Sequence, residues 1–268
     1  MNPVEYDRLF QNEDHYWWYK TRRELVVKLV QGLELSPGAR ILDVGCGTGA
    51  TAAALGALGR VAAADLSPLA LERCRRRGVA ELLQARAEAL PLRSDSCDVI
   101  VAIDIIEHID DDLGALRELR RVLRPGGCAV ITVPAYQMLW SEHDVALMHK
   151  RRYVASQLKA RMKQAGFETV RLTYAVGLLL PLALARLLKR APRADREPQA
   201  LIWQLPRVLN AALVGLQRFE NALLGQVNLP FGLSVVAVVR KPARVTAVSG
   251  PRFRLQDARA AQAIASSD

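Results

Sequence analysis

This chain has little cysteine, little histidine and no long apolar run, and each scarcity removes a class of protein. The four cysteines, Cys46, Cys74, Cys97 and Cys128, lie far apart with no paired ligand spacing. That argues against a disulfide-stapled scaffold or a zinc module and points to free thiols in a reducing cytosol. The most apolar stretch, Val176 to Arg190, breaks at Arg186. A run of about 10 to 14 residues falls short of the roughly 20 that a bilayer core requires. The N-terminus is polar and acidic through Asp14, so no secretory signal is expected. Charge, by contrast, is unbalanced: the 268 residues carry a formal +10. Such a balance attracts anionic phospholipid, nucleic acid or acidic substrates. The length suits one domain with an elaboration.

The most informative segment is Ile41-Leu-Asp-Val-Gly-Cys-Gly-Thr-Gly-Ala50. A short apolar run enters a loop with glycine at every second position, and an alanine-rich helix follows. Glycine adopts positive φ cheaply and lets a ligand approach backbone, so the loop reads as a cofactor cradle at the carboxyl end of a first strand. Its spacing is G-x-G-x-G, whereas dinucleotide enzymes usually show G-x-G-x-x-G. Asp43, two positions before Gly45, would repel a pyrophosphate and suit a cation. Val61 to Ala64 reads as a second strand ending in Asp65, 22 positions after Asp43. A carboxylate there accepts hydrogen bonds from ribose hydroxyls, or caps the next helix together with Ser67 and Pro68.

The glycine run resembles the first motif of class I S-adenosylmethionine-dependent methyltransferases, of the methyltransferase type 11 kind. Ala87 to Leu92, Cys97 to Asp104, Ile105 to Asp110 and Arg121 to Gly127 resemble the later motifs, and the match covers roughly residues 38 to 133. The resemblance implies an α/β fold: a doubly wound, mostly parallel, seven-stranded Rossmann-like sheet. It also implies S-adenosyl-L-methionine as cofactor, held by Asp43, Gly45, Cys46, Gly47, Thr48, Gly49, Asp65, Leu66, Ala87, Glu88 and Asp104. One departure stands out, because the family usually places aspartate where this chain has Arg86. Adenine recognition then falls to backbone near Ala87, to Glu88 or to stacking on Leu66.

The expected organisation is a lid segment over 1–35, a cofactor-binding core over 36–174, a helical insertion over 175–231, a last strand over 232–240 and a mobile basic tail over 241–268. The insertion separates two strands that the family joins by a short connection. Its second half carries an apolar stripe of Leu201, Leu205, Val208, Leu209, Ala212, Leu213, Leu216, Phe219, Leu223 and Leu224, with Gln204, Arg207, Asn210, Gln217, Arg218 and Asn221 opposite. Arg190, Arg193 and Arg196 fill the link before it. Cationic amphipathic helices suit an anionic membrane surface; a protein-packed cap or dimer interface would use the same stripe.

Methyl transfer needs no protein nucleophile, so positioning supplies most of the acceleration. A hydroxyl acceptor benefits from a general base, which directs attention to His143, His149 and His108. Trp17 and Trp18 are expected to cover the methyl group, with Arg22 and Tyr153 beside them on the acceptor. The Lys150 to Arg152 cluster suits a phosphate or carboxylate on it. Asp104, Glu107 and His108 are similar to a cation-binding run of some quinone-pathway methyltransferases. Adjacent Glu107 and His108 diverge on a helix, so one ion would need a loop residue, and no metal ligand is assigned. The expected activity is O-methylation of a hydrophobic or lipid-linked acceptor at the inner face of a bacterial-type cytoplasmic membrane. Carbon methylation of a quinone-like ring, a soluble natural-product methyltransferase and a non-enzymatic module of the same fold are the alternatives. Nucleic-acid methylation lacks an Asn-Pro-Pro-Tyr motif or a recognisable RNA-binding appendage.

Overall fold

A computed structural model describes residues 3–188 and 205–243. Its strands are β1 (Arg40–Val44), β2 (Arg60–Asp65), β3 (Glu81–Gln84), β4 (Cys97–Ile103), β5 (Leu123–Pro134), β6 (Glu168–Ala175) and β7 (Ser234–Arg240). They form one sheet in the order β3-β2-β1-β4-β5-β7-β6. β1 to β5 pair in parallel, while β7 runs antiparallel to both β5 and β6. The doubly wound sheet and its closing antiparallel pair are therefore as expected.

The helices are α1 (Pro3–Asn12), α2 (Trp17–Gln31), α3 (Ala50–Leu55), α4 (Pro68–Arg76), α5 (Asp112–Val122), α6 (Glu142–Ala146), α7 (Ala155–Gln164), α8 (Leu180–Leu188) and α9 (Arg207–Leu224). Central strands are apolar without interruption because both of their faces are covered. Along β4, Ile100 and Ala102 join the core formed with Leu116, Leu119, Leu158 and Met162. Val99 and Val101 point the other way, into the core formed with Val26, Leu29, Val30 and Leu33 of the α2 region. This is the two-residue alternation of a strand read across two layers.

Strand order reverses between β1 and β4. In open sheets of this kind a crevice forms there, beyond the carboxyl ends of the strands. The turns after β1, β2, β4 and β5 therefore converge on one edge.

α8 and α9 stand between β6 and β7, where the insertion was expected. α9 docks on α2 through polar groups: Asn221 donates to the Thr21 carbonyl at 2.9 Å, Asn210 accepts from Trp17 N–H at 2.9 Å, and Arg218 pairs with Glu24. Gln217 and Asn221 are buried, while Val208 is 83% exposed and Phe219 59%. Most of the stripe therefore faces away from the described protein, while Leu224 at its end packs into the core with Val26 and Val30. Leu201, Gln204, the arginines of the preceding link and the tail from residue 244 lie outside the described residues. Among the described residues no helix is long and apolar enough to cross a membrane.

Candidate active site

The turn after β1 fits the expected cradle. Gly45 and Gly49 have φ of +70° and +87°, a region in which a side chain is strained. Space is also closed to one: a Cβ on Gly45 would come within 2.6 Å of Ile105, and on Gly49 within 2.7 Å of Cys74. Gly45 and Cys46 N–H both donate to the Ala64 carbonyl, which ties the turn to β2. Asp65 accepts from Gly47 N–H and Ser67 N–H, each at 2.9 Å. It thus bridges the glycine turn and the start of α4, and its capping role coexists with the position expected for a ribose ligand.

Asp43 lies beneath the turn, 2% exposed, with one carboxylate oxygen lacking a partner. Burial, then the Asp65 and Glu13 charges, push its pKa up to about 7. A cationic group brought close would relieve that burden. The sulfonium and ammonium of S-adenosylmethionine supply such charge, so the residues present fit the cofactor. Leu66 is bare at this edge, whereas Glu88 is paired with Arg86 at 2.7 Å. Of the two side chains offered for adenine, Leu66 is the one not held in an ion pair. Ala87 is buried in the adjoining core.

The N-terminal segment covers the glycine turn more than the methyl end. Leu9 packs 3.4 Å from where a Gly47 Cβ would stand. Buried Glu13 accepts from the Thr48 hydroxyl and pairs with Arg77 at 2.8 Å, and Arg77 also holds Asp14. Sequence reasoning missed this latch, since Glu13 carries no motif and its partners come from the glycine turn and from the residue that closes α4.

Trp17 and Trp18 open α2 and pack on the sheet, in edge contact with each other at 5.5 Å. Arg22 stacks on Trp18 and bonds Asp104 at 2.9 Å, Thr132 at 3.0 Å and Ser234. It positions Asp104 at the end of β4, where that residue has φ +49°, so its guanidinium is not offered to an acceptor. Tyr153 is likewise displaced from its expected role: it is 4% exposed and donates to Asp112 at 2.9 Å. Burial and that bond push its hydroxyl pKa far up. The basic cluster is committed too, Lys150 to Asp110, Arg151 to Asp110 and Asp112, and Arg152 to Asp144.

The three predicted histidines do come together. His108 ends a 3-10 turn, Ile106–His108, after β4, and His143 and His149 follow β5 on and after α6. The His149 ring lies 4.7 Å from that of His108 and 6.2 Å from that of His143. Burial holds His143 and His108 near pKa 4, so both are neutral at pH 7. Asp144 joins the cluster: it accepts from the His149 ring Nδ1 at 2.9 Å, from Arg152 at 2.7 and 2.9 Å, and from Ser141 N–H. Burial opposes its charge, but these bonds hold its pKa far below the ordinary range.

Comparisons with known proteins supply the family. Residues 42–131 match the model of a methyltransferase domain. A Mycobacterium tuberculosis protein named as a probable S-adenosylmethionine-dependent methyltransferase is 33% identical, over 59% of this chain and 57% of its own. The chain thus spans little more than half the length of that relative. The ubiquinone/menaquinone biosynthesis C-methyltransferase UbiE of Stenotrophomonas maltophilia is 30% identical over 50% of this chain and 68% of its own. Among solved structures, phosphoethanolamine N-methyltransferase 2 of Haemonchus contortus, in complex with S-adenosyl-L-methionine, superposes with TM-score 0.55 at 18% identity, covering 82% of this chain and 52% of that one. The chain belongs to the S-adenosylmethionine-dependent methyltransferase family.

Proposed function

We propose that the protein methylates a hydroxyl oxygen on a hydrophobic, lipid-linked acceptor at the inner face of the cytoplasmic membrane. The outward apolar stripe of α9 carries this reading. Val208, Leu209, Leu216, Phe219 and Leu223 are all exposed on a helix whose polar side is docked on α2. The first turn of α9 is bonded to Trp17, four residues after the Glu13 latch and five before Arg22, so the stripe begins beside the catalytic edge. A bilayer surface accepts such a face and brings a lipid-linked acceptor within reach.

S-adenosylmethionine supplies an electrophilic methyl group on a sulfonium. The chain's task is then to hold the acceptor oxygen in line and receive its proton. As the oxygen is alkylated it gains positive charge and its proton becomes strongly acidic. A neutral imidazole of pKa about 4 is adequate at that stage, and His143 is assigned this role.

A labelled-methyl assay with membrane lipid extract tests the reading. Label is expected in the lipid fraction as an ether methyl; label only in water-soluble products contradicts it. The likeness to UbiE favours a second reading, methylation of ring carbon. Mass spectrometry of the product separates the two, since a carbon-bound methyl survives demethylation of oxygen.

A further inference from the structure

The geometry points to a divalent metal site formed by Glu107, His108 and His149. One ligand atom from each lies within 4.8 Å of the other two. The carboxylate of Glu107 is the telling group: it is wholly buried, and neither oxygen has a hydrogen-bond partner from another residue. Its neighbours are already committed, Arg22 to Asp104, Thr132 and Ser234, and Arg152 to Asp144 and the Ala135 carbonyl. A buried carboxylate with no partner is strongly disfavoured, and a cation is what it lacks.

The histidines are set up to supply the rest. His149 gives Nδ1 to Asp144, which leaves Nε2 directed to Glu107, 3.9 Å from its nearer oxygen. That gap is too long for a hydrogen bond but suits two ligands about to share an ion. Bonds of about 2.0–2.2 Å place neighbouring ligand atoms roughly 3–3.5 Å apart, so side-chain rotation closing the cluster by about 1 Å completes the site. Asp144 behind His149 is the carboxylate that orients a metal-bound imidazole, and His108 bonds the Met148 backbone. The two segments are joined by Lys150 N–H donating to the Glu107 carbonyl at 2.8 Å.

The ligand set differs from the Asp104, Glu107, His108 run considered in the sequence. Asp104 is neutralised by Arg22, and the loop residue that a single ion would require is His149. Two imidazoles and one carboxylate suit zinc, manganese or iron(II) better than magnesium or calcium. Three protein ligands leave coordination positions open. Resting on the proposed function, the acceptor's hydroxyl oxygen takes one of them: the oxygen bonds to the methyl carbon, the carbon–sulfur bond breaks with its electrons staying on sulfur, and the proton passes to His143.

The test uses the full chain, stripped with chelator and titrated calorimetrically with Zn2+ and Mn2+, with Mg2+ as comparison. One ion per chain at micromolar or tighter affinity is expected, as is a visible Co2+ spectrum typical of nitrogen and oxygen ligands. E107Q and His149→Ala should each weaken binding at least tenfold, and Asp144→Asn about 10 to 100-fold. Retained S-adenosylmethionine affinity in E107Q shows that the variant is folded. No binding to the wild type, or undiminished binding in folded E107Q, overturns the site. Metal binding with no effect of chelation on methyl transfer leaves the site standing and removes its role in the reaction.

Discussion

On the proposed reading, Asp65 and His143 divide the two tasks of the catalytic edge, binding and proton removal. Asp65 holds the glycine turn through Gly47 N–H, and on the proposed reading it also receives the ribose hydroxyls. Asp65→Ala should weaken S-adenosylmethionine binding by about 1.5–3 kcal/mol, the range for charged hydrogen bonds; unchanged affinity by calorimetry in a folded variant removes it from the cofactor site. His143→Asn should lower kcat by about 10²- to 10⁴-fold with cofactor affinity retained, the range for general-base loss. Wild-type turnover should stay level down to about pH 5 and fall as His143 protonates near 4. The same shift enters stability. The unfolded imidazole takes its proton near pH 6.5 and the folded one near 4, so the unfolded state holds more protons in between. His143 then contributes stability above pH 6.5 that is lost as pH falls through that window. Asp43, raised to about 7, acts with the opposite sign. The histidine contribution is therefore read as the difference in Tm between wild type and His143→Asn, which should shift in the variant's favour between pH 6.5 and 4. A pH-independent difference contradicts the assignment.

At the scale of elements, α1 and α9 are held by contacts that their sequences do not announce. α1 is pinned over the glycine turn by Glu13, Thr48 and Arg77, with Arg77 also stacked on Phe10 at 4.8 Å. Arg77→Ala should loosen the segment and speed cofactor association in stopped-flow measurements; an unchanged rate means that entry does not require this segment to move. α9 shows what periodicity alone leaves open. The 3.6-residue stripe was legible, but its direction was not, because the rule that apolar faces turn inward fails where amides form the joint. Asn210, Asn221 and Arg218 find specific partners on and beside α2, and nothing in their spacing announces it. Asn221→Ala should cost about 1 kcal/mol, the value of a buried hydrogen bond. Leu209→Asp and Phe219→Asp should change stability by no more than about 0.5 kcal/mol, as exposed substitutions do. If these two unfold the protein instead, the stripe is buried.

Across the whole molecule, local signals and long-range ones were unequally legible. β1, the glycine turn, Asp65 and β4 were readable because each rests on a short contiguous run whose chemistry is carried by backbone conformation and strand period. The histidines could be placed at one edge, since each follows a parallel strand. That Glu107 would be left buried without a partner, or that Asp144 would orient His149, depends on how the segment after β5 folds back on the turn after β4. Such closure joins residues about 40 positions apart through Lys150 and His149, and no local pattern encodes it. Arg22 and Tyr153 were misjudged for a related reason: both have polar tips suited to a ligand, but each found a buried carboxylate of the same chain first. The proposed membrane contact would draw on both the positive charge of +10 and the exposed stripe. The most direct test of the account is the rate of methyl transfer to acceptor embedded in anionic vesicles, compared with detergent-dispersed acceptor, for wild type and for the Leu209→Asp, Phe219→Asp double variant. The double variant should lose the vesicle reaction and keep the detergent one; equal rates for both proteins on vesicles would rule out delivery of the acceptor through the α9 stripe.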